Sequence, residues 1–183
     1  MSTIVAIDTE TTGLGHKADP KRDDAIIQVG IAWRGAKDKL LTWGSLCLPD
    51  KRYLLDGRAA RALEVNKLKL SDVLKAQKDG IVATTLKMKL KSIGKVELRA
   101  YNVSFDGPFL MKKPWWIPKS AWGPCIMRST SNHFDLGYGN MKLEEALSEF
   151  GLKKPKGSFH NAETDAAAAL LIDEALRRIR EDR

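Results

Sequence analysis

Residues 4–13 read Ile-Val-Ala-Ile-Asp-Thr-Glu-Thr-Thr-Gly, an apolar run that ends on two carboxylates one residue apart. Side chains two apart on a strand share a face, so Asp8 and Glu10 are expected to point the same way. Like charges held that close repel unless a cation lies between them. A hard divalent ion is the natural counterion for such a pair. The same residues would also suit a solvated strand end, so the motif gains weight only if distant parts of the chain supply further ligands.

The chain has 183 residues, 43% of them hydrophobic, which is enough for one well-packed domain and short for two. One domain over residues 1–183 is expected. No apolar run approaches the length of a membrane span, and Met1-Ser2-Thr3 leads into a strand without a basic leader, so a cytoplasmic protein is expected. Cys47 and Cys125 have no second Cys or His at ligand spacing, which excludes a disulfide framework and a zinc site and leaves two small buried hydrophobes. Residues 51–100 hold 13 Lys and Arg against 5 Asp and Glu and so carry the whole formal charge of +8. A surface of that kind attracts polyanions, and it also suits a solvated lysine-rich helical face.

The loop 14–24, with Gly13, Gly15, Pro20 and four successive charges, is expected to be exposed. Apolar runs at 25–33 and 39–48 read as two further strands, giving an antiparallel meander with the first. Helix follows from Asp50, with Ser71 as an N-cap and Val73, Leu74 and Ile81 at apolar positions. Residues 81–93 fit both periods and are read as a helix stopped by Gly94. A fourth strand is expected at 96–101, a helix from Ser104 that ends at Pro114, and a fifth strand at 121–127. Asn140 is read as the cap of a helix over 141–150 closed by Gly151, and a last helix spans 162–180. Its alanine run, Ala166 to Ala169, marks a close helix contact.

Three more polar groups stand where structure changes type: Asp106 at the opening of a helix, and His160 and Asp165 around the start of the last one. Five residues turn about 140° around a helix, so His160 is placed in the incoming loop and Asp165 in the second turn. Four carboxylates and one imidazole suit two-metal hydrolysis of a phosphodiester. Carboxylate oxygens bind Mg²⁺ or Mn²⁺ and leave positions open for water and phosphate. An imidazole can take the water's proton near neutrality.

These segments resemble the three motifs of the DEDDh (DnaQ-like) 3′ to 5′ exonucleases, which have an RNase H-like fold. Asp8-x-Glu10-Thr11-Thr12-Gly13 is similar to the first motif, Asn102-x-x-Phe105-Asp106 to the second, and His160-x-Ala162-x-x-Asp165-Ala166 to the third. The resemblance implies an α/β fold with a central mixed five-stranded sheet, its first three strands antiparallel, flanked by helices. It implies two divalent ions, Mg²⁺ or Mn²⁺. Asp8 would bridge both, Glu10 and Asp165 would hold the one that activates water, Asp106 would act on the other, and His160 would be the general base. Thr11, Thr12, Gly13 and Leu14 would line the pocket for the 3′-terminal nucleotide, with Leu14 against the base and Phe105 beside it.

The activity implied is release of nucleoside monophosphates from a 3′ end, with DNA favoured as a single strand or frayed end. An exoribonuclease and a non-catalytic nucleic-acid-binding module are the alternatives. The resemblance also admits a homodimer, and a proofreading role would require a polymerase or repair partner. Tyr101 departs from the pattern, standing where many relatives have His. Trp115 and Trp116, which follow Lys112-Lys113-Pro114, suit either base stacking or core packing, whereas Trp33, Trp43 and Trp122 read as packing. Lys153, Lys154 and Lys156 lie close enough before His160 to meet a phosphate, and equally suit a solvated loop.

Overall fold

The computed structural model describes residues 2–15, 23–55, 57–137 and 139–182, with the side chain of Arg58 also left aside. The middle of the expected exposed loop, 16–22, lies outside the described residues.

Among the described residues, four strands form one sheet in the order β3-β2-β1-β4. The first, β1 (Thr3–Thr11), pairs antiparallel with β2 (Ile26–Arg34), which pairs antiparallel with β3 (Leu40–Leu46). The short β4 (Val96–Arg99) lies parallel to β1 on its other side. Parallel pairing needs a crossover. Here it contains α1 (Gly57–Val65), α2 (Leu70–Lys75) and α3 (Asp79–Ile93). Four helices follow β4: α4 (Val103–Leu110), α5 (Ile126–His133), α6 (Leu143–Glu149) and α7 (Ala162–Glu181).

The period of two in β1 divides the core into layers. Val5 and Ile7 pack with Val29, Ile31, Leu98 and the residues of α3 and α4. Ala6, between them, faces the other way and packs with Ala32 and with Ala166 to Ala169 of α7. Small side chains on both surfaces let that helix lie close to the sheet. Asp8 and Glu10 continue the Ala6 side of β1 and therefore face α7, while Thr9 faces α4.

The expected fifth strand at 121–127 does not form. Trp122 makes one isolated parallel bridge to Leu98, and α5 starts at Ile126. Pro124 lacks the N–H that a ladder needs, so the chain leaves the sheet edge after one pair. Several helix starts also differ. Lys69 precedes α2, and Ser71 lies inside its first turn. Lys142 precedes α6, where its backbone N–H donates to Glu145 at 3.3 Å, so Asn140 is not the cap. Asn102 precedes α4, which ends at Leu110, before Pro114. Val73 is buried, whereas Leu74 and Ile81 are exposed, because α2 and the start of α3 present only a narrow face inward. Cys47 is fully buried and Cys125 partly so. Gly94 and Gly151 end their helices with left-handed φ values of 107° and 62°. Among the described residues, no helix is long and apolar enough to cross a membrane.

Candidate active site

The carboxylates converge because two elements press on the end of β1. Asp8 lies opposite Gly30 of β2, and Glu10 opposite Gln28. A Cβ at Gly30 would lie 2.2 Å from the carbonyl carbon of Ala162, so only glycine lets the start of α7 rest on the sheet here. Gln28, buried beside it, accepts the Ala162 N–H through Oε1 at 3.1 Å. Asn161 caps the helix, its Oδ1 accepting the N–H groups of Glu163 at 3.2 Å and Thr164 at 3.3 Å. With α7 fixed in this way, Asp165 sits in the first turn over β1, and its Oδ2 accepts the His160 N–H at 3.1 Å.

His160 is exposed and outside the helix, with φ at 63°. A left-handed histidine is strained by about 1–2 kcal/mol. The turn brings the ring to the carboxylates: ligand atoms of Glu10, His160 and Asp165 all lie within 4.8 Å of one another. Asp8 and Asp106 are not in that tight group. Asp106 reaches the strand end from the opposite layer, where its Oδ1 accepts both the N–H of Thr9 at 3.0 Å and its hydroxyl at 2.7 Å.

The electrostatics show that four acids share one poorly solvated region. Burial, followed by repulsion from Asp106, Glu10 and Asp165, raises the Asp8 carboxyl well above the ordinary range. Burial, then Asp165 and Asp106, pushes Glu10 up to about 8. Asp165 rises to about 6, chiefly from burial and further from Glu144. The His160 backbone hydrogen bond, Lys154 and Lys67 oppose that rise. Its buried Oδ1 has no hydrogen-bond partner. An unpartnered buried carboxylate oxygen beside another acid and an imidazole fits a divalent cation, which would supply both the missing partner and the missing charge.

Beside Glu10 opens a cavity of about 510 Å³, walled by Thr9, Thr11, Gly13, Leu14 and Phe105 and by Arg61 of α1 and Asn66 just after it, among others. Thr12 does not line it. That residue is buried, donating to Asp24 Oδ1 at 3.1 Å and accepting from the Ala25 N–H at 3.0 Å, and so closes the turn behind the cavity. Leu14 is 62% exposed at the cavity's edge, where an apolar face is available to a ligand. Tyr101 is buried and donates its hydroxyl to the Met141 carbonyl at 2.8 Å, which ties the turn after β4 to the approach of α6.

Among solved structures, the chain is similar to cell-death related nuclease 4 (CRN-4), with a TM-score of 0.74 over 99% of its length at 15% identity. It is also similar to a 3′-exonuclease solved in 3′-end-specific recognition of a histone mRNA stem-loop, with a TM-score of 0.74 over 98% at 19% identity. Exonuclease I of E. coli in complex with a dT13 oligonucleotide gives a TM-score of 0.65 over 99% at 16% identity. The fold is RNase H-like, as in 3′-exonucleases. The chain spans 64% of each of the first two proteins and 43% of the third. No family model matches the sequence, and no curated protein matches it at a significant level.

Within this RNase H-like frame, the α1 wall of the cavity corresponds to no motif in the sequence. Arg61, Ala62 and Val65 recur at the spacing of one helical stripe, which Asn66 continues in the turn that follows, while Ala59 and Leu63 are buried on another. Asn66 is buried and its side-chain amide donates to the Thr11 carbonyl at 3.3 Å, joining the turn after α1 to the end of β1. A helical stripe shows that a face exists, but not that it meets a strand some fifty residues away. Gln28 and Gly30 were legible only as strand residues, since their importance lies in what α7 does above them.

Proposed function

We propose that the chain is a divalent-metal-dependent 3′ to 5′ exonuclease of the DEDDh type, with residues 1–183 as one exonuclease domain. The observation that carries this reading is the meeting of Glu10, His160 and Asp165 within 4.8 Å at the end of the strand that also bears Asp8. The shared fold with proteins named as a nuclease, a 3′-exonuclease and an exonuclease supports it.

Asp8, Glu10, Asp106 and Asp165 would hold two ions, Mg²⁺ or Mn²⁺. The chemistry supplied by the bound ions is activation of a water for attack on phosphorus and neutralisation of charge on the leaving oxygen. His160, on an exposed and turned backbone, takes the proton from the attacking water at an imidazole nitrogen. Thr11, Gly13, Leu14 and Phe105 shape the cavity for the terminal nucleotide, Leu14 lies against its base, and Thr12 holds the turn that presents them. Hydrolysis releases a nucleoside monophosphate and leaves a new 3′ hydroxyl for the next cycle.

DNA, as a single strand or frayed end, is the preferred substrate in this reading. RNA is the second reading, favoured by the similarity to a 3′-exonuclease solved with a histone mRNA stem-loop. The test is digestion of 5′-labelled single-stranded DNA, duplex DNA and RNA with Mg²⁺ or Mn²⁺ and then with chelator. A ladder shortening from the 3′ end, abolished by chelator and by Asp8→Ala, is expected. Stable binding of every strand with no shortening would replace the enzyme by a binding module.

A further inference from the structure

The turn after α4 carries an aromatic side chain that neither the core nor the proposed chemistry uses. Trp115 and Ile117 are buried, yet Trp116 between them is 62% exposed and has φ at 49°. A bulky side chain with left-handed backbone is strained, and a ring this exposed recovers little of that cost by burial. The turn is nonetheless well held. The Trp116 N–H donates to the Lys112 carbonyl and the Ile117 N–H to the Leu110 carbonyl, both at 2.9 Å. Lysines surround it: Lys112, paired with Asp23 at 3.5 Å, the exposed Lys113, and Lys87 of α3, whose Nζ donates to the Pro114 carbonyl at 3.3 Å.

This surface continues from the candidate active site. Leu14 and Phe105 wall the cavity beside Glu10 and also line a second, smaller cleft of about 80 Å³ with Pro108, Phe109 and Lys112. The path therefore follows α4 from its first turn, which holds Asp106, past its end to Lys112, whose carbonyl accepts the Trp116 N–H. The six helical residues from Phe105 to Leu110 span about 8 Å.

We infer that Trp116 is a stacking platform for single-stranded nucleic acid upstream of the terminal nucleotide, with Lys87 and Lys113 meeting its phosphates. The assignment of direction rests on the exonuclease reading above. An exposed ring stacks on any base because every base has a π-face, and flanking lysines supply the sequence-independent attraction to the backbone.

The full chain is titrated in chelator with a fluorescein-labelled oligodeoxythymidylate of about twelve nucleotides, following anisotropy. Trp116→Ala is expected to weaken binding about 5- to 100-fold, with Trp116→Phe nearer to the parent. Lys113→Gln is expected to lower the slope of log K against log salt by about one. With Mn²⁺, hydrolysis of the p-nitrophenyl ester of thymidine 5′-monophosphate, which reaches only the terminal cavity, is expected to be unchanged in Trp116→Ala. Unchanged oligonucleotide binding would overturn the platform, as would equal losses on the oligonucleotide and the ester, or a fall in molar mass by sedimentation that marks Trp116 as a contact between copies. Trp116-dependent binding without hydrolysis of either substrate would instead remove the exonuclease reading and leave the platform standing.

Discussion

The carboxyl group of Glu10 shows how a proposed metal ligand can oppose the fold that holds it. Burial and two neighbouring acids push it up to about 8, so without a cation its charge is a burden on the folded chain. Glu10→Gln should raise the melting temperature in chelator at pH 8 by several degrees, while lowering hydrolysis at least about 10²-fold. A lower melting temperature would mean that the carboxylate is already compensated. His160 is the opposite case, being exposed and joined to the site chiefly by its backbone. His160→Asn keeps a residue that tolerates the left-handed conformation. It is expected to lower the rate about 10²- to 10⁴-fold in steady-state assays, with the melting temperature held within about 1 °C.

Among the elements, α7 has most influence on the site, because its start delivers both His160 and Asp165. Its position depends on close approach to β2, and a methyl group at residue 30 would lie 2.2 Å from the Ala162 carbonyl carbon. Backbone cannot yield as a flexible side chain can. Gly30→Ala should therefore cost about 1–3 kcal/mol or more in urea unfolding and lower activity beyond what the stability loss explains. Asn161→Ala removes a cap at about 1 kcal/mol and serves as the comparison, since it weakens the same helix without lifting it from the sheet. Similar activity in the two variants at matched folded fraction would argue against a positioning role for Gly30.

For the whole molecule, the raised acids link stability to pH with a definite sign. The folded chain keeps protons on Asp165 up to about 6 and on Glu10 up to about 8, whereas the unfolded chain releases them near the ordinary values of 3.8 and 4.5. Across that window the folded state binds more protons, so stability is fullest below the ordinary values and is lost as pH rises through the folded ones. In chelator the melting temperature should fall between about pH 5 and pH 8, and Mn²⁺ should raise it more at pH 8 than at pH 5.5, because the ion binds the ionised carboxylates. Differential scanning fluorimetry at several pH values checks this. A flat or rising profile in chelator would show that the four acids do not share one region.

Much was legible in the residues themselves. The alternation of β1 placed Asp8 and Glu10 on one face, glycines marked the ends of α3 and α6, and the alanine run of α7 marked a close contact, all because backbone sterics act over a few residues. The caps at Ser71 and Asn140 misled for the same reason: several nearby polar residues suit a helix start, and packing of the apolar face chooses among them. Proline at 124 signalled a break that the apolar run around it obscured. What only the tertiary structure decided was the meeting of elements distant in sequence: Asp106 against Thr9, Asn66 against Thr11, and Gly30 beneath Ala162. Those contacts depend on how helices settle on the sheet, which local pattern does not encode. Sequence by itself determined which groups are the candidates for the proposed chemistry, whereas the burial that raises the Glu10 and Asp165 carboxyls arises only when α7 closes over β1.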